Sequence, residues 1–314
     1  MQESNEVNKR LPGFLLVGAA KSATSSLHAY LDQHPDIKMP SIKESWFFSF
    51  YKNPPDYKSP GKLSNLISEL DEYLKLFNGA KEHQILGDAC PSYLYTYEDT
   101  IRNIKQIYSE TEQQNLKIII SLREPVSRAL SQFYTFKRKV EEPLNFEQAI
   151  QKSTLTERKQ ENWNIFYDYP GFGLYSKQVE AFQQAFGSEN VMIILFDDIH
   201  KDMAEVCRNI YEFVGVDANF IINDQIKHNS ITGEPKMKWL VSGLFSRNKY
   251  KRMISALIPK FLRNIILYII LKPLLKRKAL DEKNIKNLSA FFEQDIIKLE
   301  KLIGRDLGGW RNSG

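Results

Sequence analysis

Phe14-Leu15-Leu16-Val17-Gly18-Ala19-Ala20-Lys21-Ser22-Ala23-Thr24-Ser25-Ser26 is the stretch whose reading decides the fold. Phe14 to Gly18 is an apolar run of strand length, and Leu11-Pro12-Gly13 breaks the chain just before it. After Lys21, the polar residues Ser22 to Ser26 lead into Leu27, Tyr30 and Leu31, whose i, i+3, i+4 spacing marks one helical face until Pro35 stops it. Strand, tight turn and helix in that order form a phosphate-binding arrangement. The first helical amides have no intrahelical acceptor, and the helix dipole adds partial positive charge there. Small residues let an anion approach the backbone, Lys21 supplies a full charge and the hydroxyls donate further bonds. Serine and threonine are favoured at helix N-caps in any case. The lysine and the position right after the first strand favour the anion. A nucleoside-triphosphate loop, G-x-x-x-x-G-K-[ST], is disfavoured, because Ala20 precedes Lys21 and Gly13 lies on the wrong side of the strand.

Outward from this turn, strands and helices alternate. Lys117-Ile118-Ile119-Ile120-Ser121-Leu122 reads as a second strand covered on both sides, and Pro125 suits the first turn of a helix running toward Lys139. A third strand, Val191 to Phe196, precedes a helix with Met203, Val206, Cys207, Ile210 and Phe213 on one stripe. Such alternation implies right-handed crossovers and a parallel sheet. With no internal repeat and no long linker, the expectation is a flexible leader over 1–10 and a single α/β domain over 11–314. Its central, mostly parallel sheet is flanked by helices in three layers, with a helical C-terminal part.

The chain has 314 residues, of which 42% are hydrophobic, enough for one large core or two modest ones. Gly and Pro are too few for collagen or low-complexity disorder. Cys90 and Cys207 cannot make a disulfide framework, and the histidines lack any H-x-x-x-H pair, so no metal is expected. The polar N-terminus has no signal-peptide core, and no apolar run reaches about 18 residues, so a soluble, cytoplasmic protein is expected. Net charge is +5, yet Lys236 to Lys278 holds twelve Lys or Arg and no acid, leaving the remainder net acidic. Within this basic subregion, 236–280, the residues Ile254, Leu257, Ile258, Phe261, Leu262, Ile265, Ile266 and Ile269 form a continuous helical stripe. It reads first as a packed helical cap, and second as a peripheral membrane contact or a wall for an acidic substrate. No nucleic-acid partner is expected, and nothing here speaks to oligomeric state.

A second anion site is read at the end of the second strand. Arg123 sits at its carboxyl end, where ligands bind in open α/β sheets, and Ser131 follows about two turns into the helix that Pro125 starts. Alone, such an arginine is more often a surface ion pair. The run Arg123, Pro125, Arg128, Ser131 nevertheless resembles R-x-P-x-x-R-x-x-S, the 3′-phosphate segment of sulfotransferases that use 3′-phosphoadenosine 5′-phosphosulfate (PAPS). The turn at Lys21 resembles their 5′-phosphosulfate loop, strand-G-x-x-K-[ST]-G-[ST]-[ST], with Ala23 in place of the commoner glycine. Two matches in the expected order are far more specific than either alone. The resemblance runs from about Phe14 to Trp310 with a gap at the basic segment. It includes Lys227-His228-Asn229-Ser230 as a loop over the nucleotide, Gly171 to Tyr175 as a helix start and Leu288 to Trp310 as a closing helix.

The resemblance implies a P-loop-like fold and PAPS as donor, with adenosine 3′,5′-bisphosphate (PAP) as product and no metal. It places the phosphosulfate on Lys21, Ser22, Ala23, Thr24, Ser25 and Ser26, and the 3′-phosphate on Arg123 and Ser131. Lys43-Glu44-Ser45-Trp46-Phe47-Phe48 resembles the K-E-x-x-F-F of the heparan-type branch and implies Glu44 as the general base, with Lys21 on the leaving oxygen. Without the flanking motifs this run would read as core aromatics beside a solvated glutamate. Gly87-Asp88-Ala89-Cys90-Pro91-Ser92-Tyr93 resembles G-E-x-[ST]-P-x-Y and makes Asp88 the second candidate base, while Ala89 stands where heparan-type members can carry a lysine. The implied acceptor is a carbohydrate hydroxyl, and next a lipid, polyketide or other small-molecule alcohol. The rivals are a nucleotide kinase, for which no metal-holding Ser or Asp pair is found, and a non-catalytic polyanion or membrane binder.

Overall fold

The computed structural model describes residues 10–58, 63, 65–139, 141–223, 234–235, 275–276 and 282–311. Five strands, β1 (Phe14–Gly18), β2 (Ile37–Lys38), β3 (Ile85–Ala89), β4 (Lys117–Leu122) and β5 (Val191–Leu195), form one sheet in the order β2-β3-β1-β4-β5. All four pairings are parallel. Successive side chains on a strand point to opposite faces, so a strand apolar throughout feeds two cores. Leu15 and Val17 of β1, with Ile118, Ile120 and Leu122 of β4, join one core, while Phe14, Leu16 and Ile119 join the other.

Helices fill a layer on each side. α1 (Thr24–Leu31) lies on the second face. α2 (Tyr97–Ile107), α3 (Pro125–Lys139) and α4 (Tyr175–Phe186) cover the first, α5 (Met203–Val214) lies with α1, and α6 (Glu282–Ile303) returns to the first. The expected three-layer, P-loop-like α/β fold is therefore what the chain adopts. The third strand stops at Leu195 rather than Phe196, because the Leu195 amide donates to the Asp198 carboxylate at 3.1 Å and a helical turn starts at Phe196. The C-terminal helix is tied in through Asp295, whose carboxylate accepts from the Tyr175 amide at 2.7 Å and caps α4.

From β1 the chain crosses to the β3 side of the sheet, and from β4 to the β5 side, so the carboxyl ends of β1 and β4 flank the switch in direction, where open α/β sheets bind ligands. Gly18 ends β1 there, and a Cβ on it would stand 2.5 Å from the Leu94 Cβ, so only glycine lets the helical turn Ser92–Tyr95 close against the strand.

Of the basic subregion 236–280, the described residues Leu275–Lys276 form an antiparallel strand pair with Glu234–Pro235 rather than a helix. The apolar stripe from Ile254 to Ile269, the leader over 1–9 and the run Lys227 to Ser230 lie outside the described residues. No described helix is long and apolar enough to cross a membrane.

Candidate active site

The turn between β1 and α1 is held by its carbonyls. Ser121 Oγ donates to the Ser22 carbonyl at 2.6 Å and Arg123 Nη1 to the Lys21 carbonyl at 3.3 Å, both from the neighbouring β4 side. Lys21 and Ala23 are left-handed, with φ of 71° and 63°, a turn geometry that forms anion-binding concavities from backbone N–H groups. No side chain caps α1, and while the Ser26 amide turns back to the Ala23 carbonyl at 2.9 Å, the Thr24 and Ser25 amides are left to whatever enters the turn. Ser22 is fully buried and its hydroxyl has no partner among the described residues. A buried orphan of that kind costs about 1–3 kcal/mol, and an anion in the turn would satisfy it. The residues present thus fit a bound phosphosulfate.

Ala23 occupies a backbone conformation that glycine adopts freely. A left-handed L-residue costs about 1–2 kcal/mol, and glycine gives back roughly half of that in chain entropy. Ala23→Gly is therefore expected to stabilise the protein by about 0.5–1 kcal/mol. Urea unfolding would check this, and a lower midpoint would contradict it.

The Lys21 ammonium is buried, and burial, followed by the positive charges of Arg138, Arg123 and Lys43, lowers its pKa from 10.5 to about 8 against an upward pull from Glu44. These five charged groups share one neighbourhood. The guanidinium of Arg123 lies 4.4 Å from the Phe196 ring centroid, and Tyr175 Oη donates to the Arg123 carbonyl at 2.9 Å. Ser131 is half-buried on α3, which springs from the same end of β4. Arg128, the remaining charged position of that run, is fully enclosed instead. It donates to the Gln132 side chain and the Tyr169 carbonyl, so it clamps α3 to the segment before α4.

Glu44 is a charged neighbour of Lys21 and lies 3.4 Å from the Lys43 ammonium. Trp46, Phe47 and Phe48 are buried, and Phe47 stacks on Tyr73 at 4.0 Å, while the Glu44 side chain is 40% exposed. The aromatic run is core and still serves the glutamate, because it anchors a segment in which Glu44 and Trp46 both take left-handed φ, 60° and 63°. Asp88 is fully buried: Tyr73 Oη and Tyr93 Oη donate to its Oδ2 at 2.9 and 2.8 Å, and the Ala89 amide to its Oδ1 at 2.7 Å. Burial pushes its carboxyl above the usual range, against the pull of those bonds. With both oxygens engaged inside the core, Asp88 has no route to an acceptor, and of the two candidate bases the geometry favours Glu44. Asp88 instead fixes Tyr93, whose hydroxyl is 3.4 Å from that of Ser45, next to Glu44.

Two members of this cluster were not among the expected site residues. Lys43 Nζ donates to Ser25 Oγ at 2.5 Å and lies 3.4 Å from Glu44 Oε1. Arg138 is on the last turn of α3, and the spacing Ser131, Thr135, Arg138 along one helix face is the signal that would have found it. Among the described residues, no group of three His, Cys, Asp or Glu could hold a metal ion.

A strand-to-helix turn with an uncapped helix start, an arginine just past the end of the neighbouring strand and a partly exposed carboxylate beside the turn lysine make up the site. The chain belongs to the sulfotransferase domain family, whose profile matches residues 11–252. A crystal structure of a sulfotransferase from Alicyclobacillus acidocaldarius superposes with a TM-score of 0.73 at 29% identity, covering 96% of this chain and 100% of that one. The membrane-associated sulfotransferase kil1 of Dictyostelium discoideum is 30% identical over 43% of this chain and 26% of its own length. Heparan sulfate glucosamine 3-O-sulfotransferase 3A1 of Mus musculus is 24% identical over 74% of this chain and 53% of its own length. The matches thus span about a quarter and about half of these two relatives.

Proposed function

We propose that this protein is a sulfotransferase that moves a sulfuryl group from PAPS to an acceptor hydroxyl, in the first instance of a carbohydrate. The observation that carries the reading is the turn after β1: an uncapped helix start and a buried, unpartnered Ser22 hydroxyl beside the burial-strained Lys21. PAPS supplies an activated sulfuryl group on a phosphate leaving group. Ser22 to Ser26 bind that phosphate, and Arg123 with Ser131 holds the 3′-phosphate at the end of β4. Glu44 takes the proton of the acceptor hydroxyl as its oxygen forms the new S–O bond. Lys21 offsets the charge that gathers on the bridging oxygen as the old S–O bond breaks and PAP leaves.

A carbohydrate acceptor is supported by the run Lys43 to Phe48 and by the heparan sulfate relatives. We take residues 11–314 as one such domain, with Asp295 of α6 capping α4 in its support. Incubation with sulfur-labelled PAPS and a panel of glycans, lipids and phenols tests the whole. Label in a glycan is the expected result. Label in a lipid or phenol would move the acceptor class, and tight magnesium-dependent ATP binding without label transfer would replace the reading with a kinase.

A further inference from the structure

Lys43 is bonded at once to both halves of the site. Its ammonium donates to Ser25 Oγ, in the turn proposed to hold the donor phosphate, and faces Glu44 Oε1 at 3.4 Å. In the reaction proposed above, the bond that breaks lies on the Ser25 side and the hydroxyl that attacks lies on the Glu44 side. The group that moves must cross the gap between them, and that gap is the one this ammonium bridges. Lys21 meets the other end, where the leaving oxygen departs.

We propose that Lys43 is a second catalytic cation, which binds the sulfuryl oxygens during transfer. This rests on the PAPS reading of the site and adds a residue to it. A partly exposed lysine–glutamate pair by itself adds little to stability and means little. What sets this pair apart is the third partner, Ser25, eighteen residues away in the donor turn. The pairing also has a direction in time. Before reaction Lys43 is shared with the Glu44 carboxylate. When Glu44 accepts the acceptor proton its charge is cancelled, and the full attraction of the ammonium passes to the sulfuryl oxygens. No further atom or electron is needed: one S–O bond forms, one breaks, and the acceptor proton rests on Glu44.

The test compares Lys43→Met, which keeps the apolar stem, with Lys43→Arg, using kcat and the calorimetric affinities for PAPS and for PAP, which lacks the sulfuryl group. Lys43→Met is expected to lower kcat by about 10²-fold. It should weaken PAPS binding by about tenfold with PAP affinity and thermal midpoint unchanged. Lys43→Arg should restore much of the loss. Equal weakening of PAP and PAPS would make Lys43 part of the phosphate cradle and overturn the proposal, as would an unchanged kcat. Wild-type protein that binds neither nucleotide would sink the donor reading itself, an outcome distinct from either of these.

Discussion

Lys21→Ala is expected to lower kcat by about 10²–10³-fold, the loss seen when one preorganised charge stabiliser is removed, and yet to make the nucleotide-free protein harder to melt. The second half follows from the burial of the ammonium. Its pKa falls from 10.5 to about 8, first through burial and then through Arg138, Arg123 and Lys43. That difference corresponds to a cost on the order of 3 kcal/mol for keeping the group charged in the fold. In the window between those two values the unfolded chain holds the proton and the folded chain does not, so stability rises with pH across it. Below about pH 8 the cost is complete. Alanine removes the cost, and an anion in the turn offsets it. PAP should therefore raise the melting temperature of the wild type strongly near neutral pH and less above pH 8, where Lys21 discharges. Lys21→Ala should show a small shift without that dependence. The wild-type kcat/KM for donor should decline above pH 8 for the same reason. Thermal scans with and without PAP across this range decide the matter, and a melting temperature that drops in Lys21→Ala would count against the buried cation as a stored strain.

The parts of this molecule legible in the sequence are those set by local pattern. β1 and β5 are apolar along their length, and β4 from Ile118 to Ile120, because helices cover both faces, and a run without alternation says as much. β3 escapes the same reading, since Gly87-Asp88 interrupts it and Ile85 to Ala89 looks like a loop motif; the strand exists because β1 and β2 pair with it on either side. β2 is two residues long and has no pattern to read. Within the site, the strand-to-helix turn from Gly18 to Ser26 is local and was visible. The choice between Glu44 and Asp88 was not, because it depends on Tyr73, which donates to Asp88 from fifteen residues upstream. Lys43 could be noticed beside Glu44, but its bond to Ser25 is a product of the fold.

Glu44→Gln is expected to reduce turnover by about 10²–10⁴-fold, the contribution of a positioned general base, while PAP affinity stays at the wild-type value. The amide keeps the size of the carboxylate and cannot take a proton at neutral pH. The fold loses only the pull of that charge on Lys21 and Lys43: the side chain is 40% exposed, and buried Trp46, Phe47 and Phe48 follow it and anchor its left-handed backbone. Asp88→Asn is the counterpart that makes the result interpretable. Its effect should fall on stability, about 1–3 kcal/mol, because the new amide must face the Tyr73 and Tyr93 hydroxyls and the Ala89 amide with one acceptor oxygen instead of two. A folded Glu44→Gln protein with near-normal turnover would remove Glu44 from the role of base. Asp88 could take that role only if its ring of three donors opened, which a full-strength melting transition in the active protein would argue against. Pre-steady-state measurement of label transfer separates the cases, since loss of the base slows the chemical step itself and leaves donor binding and product release at their former rates.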